Sequence, residues 1–276
     1  MGSFGPIVSP EWLRSHLREP NLVVVDMRWY LDGRSGKAAY DKGHIPGAVF
    51  LDLAEVSGDS GAGRHPLPSR DRFERALRRA GVNRSDRVVA YDDASGSTAG
   101  RLWWLLRSFG HQAAAVLDGG IQAWGQPLET VASQRPAGDF LAAEPAWADV
   151  VSYEQLRQGQ APGVLLDARA GRRYRGEEEP IDRRAGHIPG AKSAPWQGNL
   201  GPDGRYLPAA DLRRRFQQLG VSSGGEAILY CGSGVSSIQN LIALELAGLH
   251  GARVYAGSWS DWSSHEDAPV ATGPEP

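Results

Sequence analysis

Short apolar runs alternate with amphipathic stretches along most of the chain. LVVVD (22–26), VVAYDD (88–93), VLLDAR (164–169) and AILYC (227–231) are compact and rich in Val, Ile and Leu. Runs this short, apolar at successive positions, predict strands buried on both faces, as in parallel sheets. Between them, LPSRDRFERALRRAGV, TAGRLWWLLRSFGH, LPAADLRRRFQQLGV and SSIQNLIALELAGLHG repeat apolar positions every three or four residues, which predicts helices. SPEWLRSHLREP predicts another, with Ser9 as N-cap and Pro10 at the first helical position. Strands alternating with helices imply an α/β fold built on mainly parallel sheets.

The pattern occurs twice. GHIPGA stands at 43–48 and again, letter for letter, at 186–191. The order of elements around it is the same, and Asp26 and Asp167, Tyr91 and Tyr230, and Trp124 and Trp262 are spaced alike. A repeat of this length is too long for a solenoid unit and implies two homologous domains. The expected division is a first domain over 1–130, a linker over 131–147 and a second domain over 148–276. TVASQRPAGDFLAAEP (130–145) is poor in periodic apolar positions, which is the reason for placing the linker there. With one half laid on the other, Cys231 falls on Asp92, so the first domain is expected to be non-catalytic.

Composition narrows the chemistry. The chain has 276 residues, a net charge of −2 and a single cysteine. That charge gives no case for nucleic-acid binding. One cysteine excludes an internal disulfide and a cysteine-based zinc site. No apolar run approaches the length of a membrane span. The segment MGSFGPIVSPEW has no basic n-region or apolar core of a secretory signal, so a soluble, cytoplasmic protein is expected. No residue cluster implies a metal or an organic cofactor.

Cys231 is the candidate nucleophile. It ends an apolar strand, enters a Gly- and Ser-rich loop, and is followed by a helix that opens at Ser236 and Ser237. Inward-turned N–H groups and a helix N-terminus both favour the thiolate, the nucleophilic form. Site chemistry at the carboxyl end of a strand is also the habit of α/β folds.

Taken together, the duplicated GHIPGA, the strand-end cysteine in the second copy only and the CGSGV loop resemble the two-domain rhodanese-like sulfurtransferases. The resemblance covers about residues 8 to 270 and implies two tandem rhodanese-like domains, each a mainly parallel sheet flanked by helices. CGSGV followed by Ser resembles the 3-mercaptopyruvate sulfurtransferases within that family, whereas thiosulfate-preferring members more often carry cationic residues after the cysteine. The implied reaction passes a sulfane sulfur from 3-mercaptopyruvate through a Cys231 persulfide to cyanide, a small thiol or a reduced thioredoxin. Gly232, Ser233, Gly234, Val235 and Ser236 are the expected anion-binding loop, through their N–H groups. The alternative donor is thiosulfate.

The resemblance also assigns supporting residues. Arg173, in AGRRYRG, matches the arginine that grips the donor's anionic end. A second arginine is expected directly after a Glu-Pro pair, but Ile181 follows Glu179-Pro180 here, leaving Arg183 or Arg184 as substitutes. Ser233 and His65 match the Ser and His of a Ser-His-Asp relay at the substrate ketone, where a near-neutral imidazole can move a proton through a hydroxyl. The relay's Asp position is Ala54, and Asp52 and Glu55 lie beside it without matching it. His44, His187, Asp26 and Asp167 recur in both halves and are read as structural, and the Glu177–Glu179 run as a solvated turn. A Cys-dependent phosphatase would need an arginine six residues after the cysteine, where Ser237 stands. A non-catalytic sulfur carrier or redox sensor is the remaining rival.

Overall fold

A computed structural model of the protein describes residues 4–145 and 147–276. The chain divides into two compact units. The first takes in Met1–Gly58, Pro68–Ala146 and Pro202–Arg205, and the second takes in Asp59–Leu67, Trp147–Gly201 and Tyr206–Pro276.

The first unit contains β1 (Ile7–Val8), α1 (Pro10–His16), β2 (Leu22–Asp26), α2 (Gly36–Lys42), β3 (Val49–Phe50), α3 (Arg70–Arg79), β4 (Arg87–Tyr91), α4 (Ala99–Ser108) and β5 (Ala114–Leu117). Its sheet runs β1-β5-β4-β2-β3, every pairing parallel. All five residues of β2 are buried, as its unbroken apolar run requires. Ser9 caps α1, its hydroxyl accepting from the Trp12 N–H at 3.1 Å, with Pro10 in the first turn.

The second unit contains α5 (Tyr153–Arg157), β6 (Val164–Asp167), α6 (Gly171–Tyr174), β7 (Lys192–Ser193), α7 (Ala209–Gln218), β8 (Ala227–Tyr230), α8 (Ile238–Leu246), β9 (Arg253–Val254) and α9 (Ser258–Trp262). Its sheet, β7-β6-β8-β9, is parallel throughout and repeats the order β3-β2-β4-β5 of the first. A lone parallel bridge from Val150 to Val254 stands where β1 meets β5 in the first unit. Among the described residues no helix is long and apolar enough to cross a membrane.

Residues 131–145 form no helix or strand, yet they pack along the first unit. Phe140 is fully buried there, its N–H bonded to Val82 O at 3.1 Å and its ring edge-on to Phe73. A buried aromatic anchor of this kind is not visible as periodicity.

The same polar framework supports both units. The Arg28 guanidinium donates to Asp26 and to Gly43 O, and Arg169 donates to Asp167 and to Gly186 O. The Tyr91 hydroxyl accepts the Ile45 N–H at 3.2 Å, and the Tyr230 hydroxyl accepts that of Ile188 at 3.2 Å. His44 stacks on Tyr40 and His187 on Tyr174, each with ring centroids 3.8 Å apart. These buried groups fix the strand ends to the GHIPGA turns, which explains why both copies retain them.

Candidate active site

Register brings the site together. Asp167 pairs with Tyr230 across β6 and β8, so the residues that follow each strand emerge side by side. Arg169 and α6 leave β6, and Cys231 leaves β8 at the adjacent position. The loop after Cys231 is pinned by α9, whose Trp259 and Ser260 N–H groups donate to the Cys231 and Gly232 carbonyls at 3.0 and 2.8 Å. The Cys231 N–H donates to Ser258 Oγ at 3.1 Å, and that hydroxyl donates onward to Tyr255 O at 2.9 Å. Ser258 holds a left-handed φ of +55° to do so. Gly234, at φ +73°, turns the loop so tightly against β9's continuation that a Cβ there would lie 2.2 Å from Ala256 O.

Cys231 is 1% exposed. Burial pushes its thiol up, but the Ser236 hydroxyl and the N–H groups of Ser233 and Ser237 lead the groups that outweigh it. The net effect holds the thiol below its ordinary value. Ser237 thus joins the donors one position beyond the stretch expected from sequence.

The first unit shows what such a loop is shaped to hold. Asp92, at the position equivalent to Cys231, is buried with four N–H donors on its carboxylate. Those of Ala94 and Gly96 reach Oδ1 at 2.9 and 2.8 Å, and those of Thr98 and Ala99 reach Oδ2 at 2.7 and 2.9 Å. Burial pushes the Asp92 carboxyl up and the four N–H groups pull it down without fully offsetting that. The loop is thus a nest of converging N–H donors, and in the first unit its own aspartate fills it.

The segment 59–67 joins the second unit, although the expected first domain contained it. His65 is half-buried, and its Nδ1 shares a 2.8 Å hydrogen bond with Ser233 Oγ. Asp52 and Glu55 have local work in the first unit. Asp52 caps a short 3-10 turn over Leu53–Val56, and Glu55 pairs with Arg79 at 2.6 Å.

The cationic side of the site differs most from expectation. Arg173, 14% exposed, donates from Nη2 to Glu179 Oε1 at 2.6 Å and to Asp182 Oδ2 at 3.2 Å. Glu179 is 3% exposed and also takes Arg169 at 3.3 Å, so only Glu177 and Glu178 of that run are the solvated turn expected. Arg184, one of the two substitutes expected for the second arginine, has its guanidinium committed elsewhere. It donates to the carbonyls of Trp262, Ser263, His265 and Ala268, at the end of α9 and in the loop after it. Arg183 is exposed, and Ile181, at the position where an arginine was expected, is 38% exposed.

A second guanidinium does reach the loop, and it comes from Arg64. This residue pairs with Asp182, and its N–H donates to Ser260 Oγ at 3.1 Å. A Cβ on Gly232 would meet Arg64 Nη2 at 3.0 Å and Arg173 Nη1 at 3.4 Å. Burial pushes the Asp182 carboxyl up and Glu179 adds to this, against the pull of Arg64 and Arg173. Sequence reasoning passed over Arg64, and its one available signal was its place beside His65 in GRHPLP.

A model of the rhodanese-like domain matches residues 9–127 and again 152–265. The chain is 43% identical to the "Probable 3-mercaptopyruvate sulfurtransferase" of Pseudomonas aeruginosa, covering 98% of this chain and 99% of that one. It is 40% identical to the "Putative thiosulfate sulfurtransferase SseB" of Mycobacterium tuberculosis, over 91% and 90% of the two chains. The crystal structure of SseA from Escherichia coli, described as a 3-mercaptopyruvate sulfotransferase of the rhodanese fold, aligns with a TM-score of 0.81 at 33% identity. That alignment spans 92% of this chain and 99% of the other.

Proposed function

The chain belongs to the two-domain rhodanese-like sulfurtransferases, and on that premise we propose that Cys231 carries sulfane sulfur from 3-mercaptopyruvate to a thiophilic acceptor. The observation that carries this reading is a buried strand-end thiol in a pinned loop whose counterpart in the first unit turns four N–H groups onto one acceptor. The Cys231 thiolate attacks the donor's sulfur and the donor's C–S bond breaks. Its electron pair leaves on carbon as the enolate of pyruvate, and the sulfur stays behind as Cys–S–SH. The enolate takes up one proton to give pyruvate, while the more acidic persulfide releases one. The His65–Ser233 pair is the route we assign to that proton, with the hydroxyl as the near member. The acceptor (cyanide, a small thiol or a reduced thioredoxin) then attacks the outer sulfur, the S–S bond breaks and the thiolate returns. Two half-reactions on one nucleophile give ping-pong kinetics.

The donors that held the thiolate also hold the persulfide anion, so the nest serves both resting forms. The first domain, with Asp92 filling its own nest, takes no part in the sulfur chemistry. One observation favours thiosulfate as a second reading. The loop itself is uncharged, but Arg64 and Arg173 bring two guanidinium groups to Gly232, which suits a compact dianion.

Steady-state thiocyanate formation with each donor, at enzyme far below donor, tests these readings. A large preference in kcat/KM for 3-mercaptopyruvate is expected. A preference for thiosulfate overturns the donor assignment, and a single stoichiometric transfer would leave a carrier rather than an enzyme. Cys231→Ser should abolish transfer with the fold intact, together with the mass gain of one sulfur atom on donor-treated protein.

A further inference from the structure

We infer that Arg64 is the second donor-gripping arginine of this protein, closing with Arg173 a two-armed fork on the donor's anionic end at Gly232. The inference rests on the sulfur-transfer reading above and names the residue that sets its donor class, a small carboxylate or other compact anion carrying a transferable sulfur. The residues that were candidates by position do not supply the second arm. Ile181 has no charge, Arg184 is committed to four carbonyls of α9 and the loop after it, and Arg183 faces solvent.

The geometry of the carboxylates explains how the fork is held. Asp182, only 5% exposed, binds Arg64 through Oδ1 and Arg173 through Oδ2, so one buried carboxylate spaces both guanidinium groups. Arg173 spends its Nε and Nη2 on Glu179 and Asp182, and Arg64 spends its Nη1 on Asp182. Arg64 Nη2 and Arg173 Nη1 lie outside these bonds, and both stand beside the place a side chain on Gly232, the residue after the nucleophile, would take. An anion between them receives one N–H from each arm while the attached sulfur lies beside Cys231. Glycine at 232 leaves the space in which that anion fits.

Arg64 also lies next to His65 on a segment tied to the rest of the second domain by hydrogen bonds at Ser260, Asp182 and Ser233. The fork's outer arm and the proton-carrying imidazole are therefore delivered together. At 27% exposure, Arg64 is the more accessible of the two arms.

The test compares steady-state constants of Arg64→Gln and Arg64→Lys with the unsubstituted protein, for 3-mercaptopyruvate and for thiosulfate. Loss of a charge-assisted hydrogen bond to the donor should raise KM about tenfold or more in R64Q. The kcat should change much less, since the sulfur chemistry at Cys231 is untouched. R64K keeps the charge without the fork and should regain part of the loss in KM. A KM within about twofold of the unsubstituted value in R64Q, or one raised equally in R64Q and R64K, overturns the inference. So does a fall in kcat with KM unchanged. No transfer from either donor by the unsubstituted protein overturns the functional reading, and this inference with it.

Discussion

Replacing Gly234 by alanine adds one methyl group to a residue at φ +73°, and that methyl would lie 2.2 Å from Ala256 O. The left-handed conformation alone costs a side-chain-bearing residue roughly 1–2 kcal/mol. A carbon and a carbonyl oxygen ordinarily approach to about 3.3 Å, so the loop or the chain at Ala256 must move by about an ångström. Both are backbone, and the loop is already pinned by Trp259, Ser260 and Ser258. Together these effects should destabilise the second domain by about 3 kcal/mol or more, in the range of substitutions that break special backbone geometry. That corresponds to a fall in its Tm of roughly 10 °C for a domain of this size. The same substitution two residues earlier should behave differently. A methyl on Gly232 meets only the far ends of Arg64 and Arg173, at 3.0 and 3.4 Å, which can swing aside. Gly232→Ala should therefore leave Tm within about 2 °C of the unsubstituted protein, a stability change under about 0.5 kcal/mol. Its effect should appear in KM for the donor, because the methyl takes the space between the two guanidinium groups. Thermal unfolding followed by circular dichroism, with steady-state kinetics on the same preparations, separates the two variants. Equal losses of Tm in both, or a G234A variant as stable as the unsubstituted protein, would refute the reasoning.

Three further outcomes follow from the same structure. Ser236→Ala removes the hydroxyl that does most to hold the Cys231 thiol down, so the acid limb of kcat/KM should move to higher pH, with the loss vanishing in alkali. The sign is the same for stability. A thiol depressed on folding contributes stability that is full above the ordinary thiol value and lost as pH falls through the depressed one, so the gap between the unsubstituted protein and S236A should widen as pH rises through that window. Arg184→Ala should cost about 3 kcal/mol in urea unfolding, since the carbonyls of Trp262, Ser263, His265 and Ala268 lose a charged donor, while KM for the donor stays unchanged. Asp92→Ala strands four N–H groups, three of them buried, and should destabilise the first domain by about 3–5 kcal/mol, and unfolding of that domain at unchanged stability would contradict the nest.

Much of the fold was legible because its causes are local and repeated. Unbroken apolar runs such as Leu22–Asp26 and Ala227–Tyr230 have no exposed face to present, and they form central parallel strands in both units. The repetition of GHIPGA separated framework from chemistry. His187 and Asp167 have counterparts, His44 and Asp26, in the half that lacks the cysteine, and the structure gives each pair equivalent partners. Cys231 stood out for the complementary reason, as a strand-end residue present in one half alone.

Other features have causes that are distant in sequence, and no spacing rule reaches them. Residues 131–145 carry no periodic pattern, yet Phe140 anchors them through a pocket formed by α3 and the chain after α4. Glu179 sits in an acidic run that reads as solvated, and it is buried because Arg169 and Arg173 neutralise it. Arg184 was a substitute candidate for the donor-binding arginine, but the carbonyls of Trp262, Ser263, His265 and Ala268 take its guanidinium.

What the chain's own order determined was the duplicated α/β architecture and the nucleophile's place at the end of a strand, because hydrophobic period and local turn chemistry act over a few residues. What only the tertiary structure decided was the charge of the site. A loop with no charged residue becomes an anion site when Arg64 and Arg173, 109 positions apart in the chain, are held on one buried aspartate beside Gly232. Electrostatic fields depend on distance in space and on burial, and neither can be read from spacing along a sequence.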